Sequence, residues 1–127
     1  MMKRTFKKLM AAAGSFEHYR GYHYLCQAVS LVLENPERLC NVCMENYQPV
    51  AKMNHTSRAN VHRDIRTLIA NFWTHGGKEL FVKWTGCTRW YYEKPYPKEF
   101  IGTIAQLIRE SQEDSSDTAL QLQVHDI

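Results

Sequence analysis

The sequence predicts an all-α domain that contains a helix–turn–helix, on three observations. Apolar residues recur at three- and four-residue steps through much of the chain, the spacing of amphipathic helices. Capping and breaking residues such as Asn35-Pro36 and Gly76-Gly77 punctuate those stretches. Across residues 47–75 a short helix, a polar turn and a longer capped helix follow one another.

Residues 1–14 are rich in Lys and Arg and read as a basic N-terminal arm, helical at most in part. Over 16–33, Phe16, Tyr19, Tyr22, Leu25, Val29 and Val32 fall on one face of a helix, with Ser15 in the N-cap position. Asn35-Pro36 ends it and starts a second, because proline lacks only an N–H that the first helical position leaves unpaired. Leu39, Val42 and Cys43 would face its core side. A short helix is expected over 47–53 with Pro49 in its first turn, then the polar break Asn54-His55-Thr56-Ser57. Val61, Ile65, Leu68, Ile69, Phe72 and Trp73 mark the long helix that begins near Ser57 and stops at Gly76-Gly77. Residues 78–92 are ambiguous, since 79–84 could form a short helix and the aromatic-rich 88–92 could be extended, and 99–108 form the last helix with Phe100, Ile101, Ile104, Leu107 and Ile108 inward. The tail, residues 111–127, is polar and acidic and reads as flexible, with 120–124 able to dock or turn helical.

The domain proper therefore spans 15–110. A chain of 127 residues holds one core of this kind, and its 44% hydrophobic content is that of a globular protein. No apolar run approaches the ~20 residues that span a bilayer. Residues 1–14 faintly imitate a secretory signal, but the apolar stretch at 9–13 is too short, so a cytoplasmic location is expected, without membrane or small-molecule partners. Charge is uneven: fifteen Lys and Arg face eight acids across residues 1–108, whereas from Glu110 onward there are five acids and no base. A basic body suits a polyanion. The acidic tail could fold over that surface and compete, in which case deleting 112–127 would tighten binding at low salt.

Cys40 and Cys43 form a C-x2-C pair, and Cys26 or His23 could complete a zinc site; set against this, Cys26, Cys40 and Cys43 fall among apolar residues, where cysteine behaves as a small hydrophobe. Buried thiols, no metal and no cofactor are the expectation. The six histidines are scattered, and none stands with a nucleophile and a carboxylate at a catalytic spacing, so no enzyme is expected.

Within 47–75, Ala51 supplies the small residue that lets the two helices pack, Val61 anchors the second, and Asn54 suits the left-handed residue of the turn. Opposite the apolar stripe of the second helix lie Ala59, Asn60, Arg63, Arg66 and Thr67. Small residues there let a backbone approach DNA, and Arg and Asn pair bidentately with guanine and adenine. Asn60, His62, Arg63 and Arg66 are thus base-contact candidates; Lys52, Thr56, Ser57, Arg58 and Lys78 are phosphate-contact candidates, which fix register rather than sequence.

The chain also resembles a known family, the C-terminal DNA-binding effector domains of the master response regulator of endospore formation (stage 0 sporulation protein A). The resemblance begins at His18-Tyr19-Arg20-Gly21-Tyr22-His23-Tyr24-Leu25 and continues through Tyr47, Val50-Ala51-Lys52, Thr56-Ser57, Val61, Arg63 and Ile65-Arg66. Residues 69–73 with Gly76, then Lys94-Pro95 and Glu99-Phe100-Ile101, complete it, in order, over about 16–110. It implies a six-helix, bundle-like domain whose third and fourth helices form the helix–turn–helix, and which regulates transcription from short operator boxes, often as head-to-tail copies on tandem sites. It also implies DNA contact by Arg63 and Arg66. His62 stands where the family has an acid and Asn60 where it has an arginine, which points to a different operator. The family's phosphoacceptor receiver has no counterpart here, so control by aspartyl phosphorylation is not expected. Double-stranded DNA is the expected partner. The alternative is a protein–protein interaction module that has lost operator binding, with Trp84, Trp90, Tyr91 and Tyr92 as its surface if they do not pack in the core.

Overall fold

The computed structural model describes residues 2–125, with side chains described through residue 112. Its α-helices are α1 (Met2–Ala11), α2 (Arg20–Glu34), α3 (Gln48–Met53), α4 (Arg58–Phe72), α5 (Lys78–Thr85) and α6 (Pro97–His125). Short 3₁₀ turns at Pro36–Asn41 and Thr88–Tyr91 and wide π-type turns at Cys43–Tyr47 and Trp73–Gly77 connect them, and no strand occurs among the described residues.

The centre of the fold is α2, which packs against α4 on one side and α6 on the other. Leu25, Ala28 and Val29 of α2 meet Val61, Ile65, Leu68 and Phe72 of α4 and Phe100, Ile101 and Ile104 of α6, all without measurable exposure. Close approach of α2 and α4 depends on Gly21. A Cβ there would stand 2.1 Å from the Asp64 carbonyl oxygen, inside any possible contact. Aromatic rings close the other end of the core: Phe81 stacks on Phe100 with centroids 5.2 Å apart, and Phe72 and Trp90 meet this pair edge-on.

Six α-helices were expected and six are seen among the described residues: the one expected over 16–33 is α2, but an unexpected helix precedes it and the one expected after Asn35-Pro36 is missing. The basic arm is instead α1, with Phe6 and Met10 fully buried and the Phe6 ring edge-on to Tyr22 at 5.2 Å. Met2, Phe6, Leu9, Met10 and Ala13 pack on the core, while Lys3, Arg4, Lys7 and Lys8 are exposed: a helical stripe lay beneath the charge. Conversely, the helix expected after Asn35-Pro36 is a single 3₁₀ stretch. Asn35 does cap it, accepting from the Glu37 N–H at 3.1 Å, but no residue of the stretch is buried. Too little apolar surface is available to hold a longer helix there. Leu39 and Val42 reach only the core's edge and Cys43 is exposed.

Three further expectations are corrected. Ser15 is not the cap of α2, which starts at Arg20; Phe16 is buried in the preceding turn, against Phe72. Residues 88–92 are not extended, because Trp90 must turn inward to Phe81, which winds Thr88–Tyr91 into a 3₁₀ turn and leaves Tyr91 and Tyr92 outside. The last helix does not stop at Ile108: its backbone stays helical through His125. The side chains of residues 113–125, including those of 120–124, and residues 126–127 altogether lie outside the described residues.

Candidate nucleic-acid interface

Helix α3, the turn 54–57 and α4 form a helix–turn–helix. Ala51 is buried where α3 meets α4, and its carbonyl accepts the Thr56 N–H at 3.0 Å, closing the turn. The left-handed residue is His55, at φ 54°, and not Asn54 as its tolerance for that region suggested. Asn54 is held elsewhere, its Nδ2 donating to Gln27 Oε1 at 2.6 Å and to the Val50 carbonyl at 2.7 Å, which ties the turn to α2. Ser57 caps α4, its Oγ accepting the Asn60 N–H at 3.1 Å.

The buried stripe of α4 turns Ala59, Arg63, Arg66 and Thr67 to solvent together. Two arginines thus stand one turn apart beside small side chains. Arg63 makes one weak contact, Nε to Asp64 Oδ1 at 3.4 Å, and its side chain stays 66% exposed, so it is free to swing onto a ligand. Asn60 and His62 sit differently. Asn60 is half-buried and its Nδ2 donates to Thr56 Oγ1 at 3.1 Å, on the flank of the helix. His62, also half-buried, stacks on Tyr47 with centroids 5.3 Å apart. Burial, and then the nearby Cys43 thiol, hold the Tyr47 hydroxyl well above its ordinary pKa, so at neutral pH that ring is an uncharged platform for the imidazole.

Lys52, at the end of α3, and Ser57 and Arg58, where α4 begins, are exposed around the N-terminus of α4, and Thr56 is half-buried beneath them. Arg58 reaches the Met44 sulfur with Nη1. Lys78 lies past the other end of α4, beyond the break at His75 and Gly76 (φ 94°), in a depression shared with Glu79 and Glu93. These positions bracket α4 along its length. His75 Nδ1 lies 2.6 Å from the Asn71 carbonyl, the place of a donor at a helix C-terminus.

Sequence reasoning missed the loop that flanks α4. Lys94, Pro95, Tyr96 and Pro97 face His62, Arg66 and Ile69 across a notch of about 380 Å³. Only the Lys94-Pro95 pair hinted at it, and the 27 positions between Arg66 and Lys94 hid their proximity.

The thiols are not arranged for chemistry. Cys40 and Cys43 are exposed, contrary to the expected burial, because the turns that carry them do not enter the core; Cys26, on α2, is half-buried at the core's edge, and Cys87 is exposed. No cluster of three or more metal-ligating side chains occurs among the described residues. Nor is any described helix long and apolar enough to cross a membrane.

An all-helical domain with an exposed, arginine-bearing helix behind a tight turn defines a class, the helix–turn–helix DNA-binding effector domains. Residues 6–108 match the family described as "Sporulation initiation factor Spo0A C terminal", and the chain belongs to that family. It is accordingly a DNA-binding regulatory domain of the sporulation response-regulator type.

Proposed function

We propose that the domain regulates transcription by reading a specific operator in the major groove with α4, from a cytoplasmic location. The observation that carries this reading is the outward pair Arg63 and Arg66 on a helix capped by Ser57 and backed by α3. Arginine forks match the O6 and N7 acceptors of guanine, and each such pair is worth about 1–3 kcal/mol of discrimination. Lys52, Thr56, Ser57, Arg58 and Lys78 set the register on the phosphates. Asn60 and His62 tune the reading from the flank, Asn60 through its bond to Thr56 and His62 through its stack on Tyr47. Copies of the domain bind head to tail where operators lie in tandem. Neither a catalytic step nor a cofactor enters this account.

Methylation interference tests the placement. Methyl groups on guanine N7 within the operator block binding if α4 lies in the major groove, and are tolerated if it does not. A protein–protein module predicts instead no steep salt dependence, because no counterions leave DNA.

A further inference from the structure

The notch between α4 and the loop that precedes α6 has a composition unlike its neighbours. It is lined by Arg66, His62 and Lys94 around Ile69, Pro95 and Pro97, with no carboxylate, whereas the adjoining depression over Trp73, which Lys94 also borders, carries Glu79 and Glu93 beside Lys78. The two acids that flank the loop 94–97 are drawn away from it. Arg89 binds Glu99 at 2.9 Å and Glu93 at 3.6 Å, and lies over the Trp90 ring at 4.1 Å. Glu99 also accepts the Tyr96 N–H at 3.0 Å. One arginine thus neutralises both acids and pins both ends of the loop, while two prolines stiffen it between. Lys94 is left exposed beside Arg66, and Tyr96 is 76% exposed next to it.

We infer that this notch is a phosphodiester subsite: the loop 93–97 acts as a rigid wing that grips the DNA strand bordering the groove into which α4 is inserted. The inference rests on the major-groove reading above. Its chemistry fits one occupant. Lys94 supplies a positive charge for a backbone phosphate, with that of Arg66 alongside, Tyr96 a hydroxyl donor, and the half-buried Pro97 ring an apolar contact for a deoxyribose. Arg66 belongs to both the outward face of α4 and the notch, so a strand edge held there adjoins the bases that α4 reads.

The experiment is salt-dependent fluorescence anisotropy of the full chain on an operator duplex and a scrambled duplex, for wild type, Lys94→Ala, Lys94→Arg and the control Lys83→Ala. Lys94 is exposed, so its removal leaves the fold intact. Loss of one phosphate contact lowers the log–log salt slope by about 0.9, so wild type loses about 3.5-fold more affinity than Lys94→Ala between 50 and 200 mM salt. The operator-to-scrambled ratio stays unchanged, because a phosphate contact carries no sequence. Lys94→Arg keeps the wild-type slope, as does Lys83→Ala. A duplex with one neutral methylphosphonate at the gripped phosphate weakens wild type and not Lys94→Ala. An unchanged slope in Lys94→Ala, or a loss of selectivity in its place, overturns the subsite while leaving major-groove reading intact. Absence of binding by wild type to either duplex overturns both.

Discussion

Replacing Gly21 by alanine strikes the contact that sets α4 against the body of the domain. The added Cβ would lie 2.1 Å from the Asp64 carbonyl oxygen and 2.7 Å from its carbon, both backbone atoms of α4 that no rotamer change can move. Restoring an ordinary contact of at least 3.4 Å requires the two helices to part by about 1.3 Å, which opens the packing of Leu25 and Val29 against Val61 and Ile65. Overpacking of this kind costs about 1–3 kcal/mol, and the helix-propensity gain of alanine over glycine, up to about 1 kcal/mol, is muted at the second residue of α2. A net loss of about 2 kcal/mol lowers Tm by roughly 6–10 °C for a domain of this size. Thermal and urea unfolding measure it, and the same displacement of α4 weakens operator binding. An alanine variant as stable as wild type would refute the argument that Gly21 is required for space.

Three other outcomes follow from the helix–turn–helix and its support. Ser57→Ala removes the cap on the Asn60 N–H and costs about 1 kcal/mol in urea unfolding, with Ser57→Asp restoring it. His55→Gly stabilises by about 0.5–1 kcal/mol. The left-handed backbone costs a residue with a Cβ about 1–2 kcal/mol, and glycine's larger chain entropy in the unfolded state returns part of that. Tyr47→Phe changes alkaline stability. The folded-state pKa of Tyr47 is raised above its ordinary 10.0, so its contribution is full below pH 10 and is lost as pH rises beyond, at up to about 1.4 kcal/mol per pH unit. The phenylalanine variant should therefore show a shallower fall in urea midpoint between pH 9.5 and 11.

The parts of this fold that were legible are those in which one segment carries its own evidence. Helix α4 shows its stripe, its Ser57 cap and its Gly76 stop within 20 consecutive residues, so its ends and its outward arginines could be read directly. Helix α1 was obscured because four exposed cations diluted a stripe whose partner, Tyr22, lies in another helix. The stretch after Pro36 failed for the opposite reason: local signals favoured a helix, but no buried surface was there to stabilise it. At the candidate site, Arg63 and Arg66 needed only helical spacing. The stack of His62 on Tyr47 and the approach of Lys94 to Arg66 depend on tertiary packing between distant segments, which no local pattern encodes.

The central claim is that Arg63 and Arg66 read base edges from α4. Its most direct test is the ratio of affinities for the duplex that the wild-type domain selects from a random-sequence pool and a scrambled duplex, measured by fluorescence anisotropy at matched salt for wild type and for Arg63→Ala/Arg66→Ala. Loss of two bidentate pairs should cut that ratio by at least about 25-fold while leaving salt-dependent binding to both duplexes. A ratio unchanged in the double variant would show that these arginines do not read sequence.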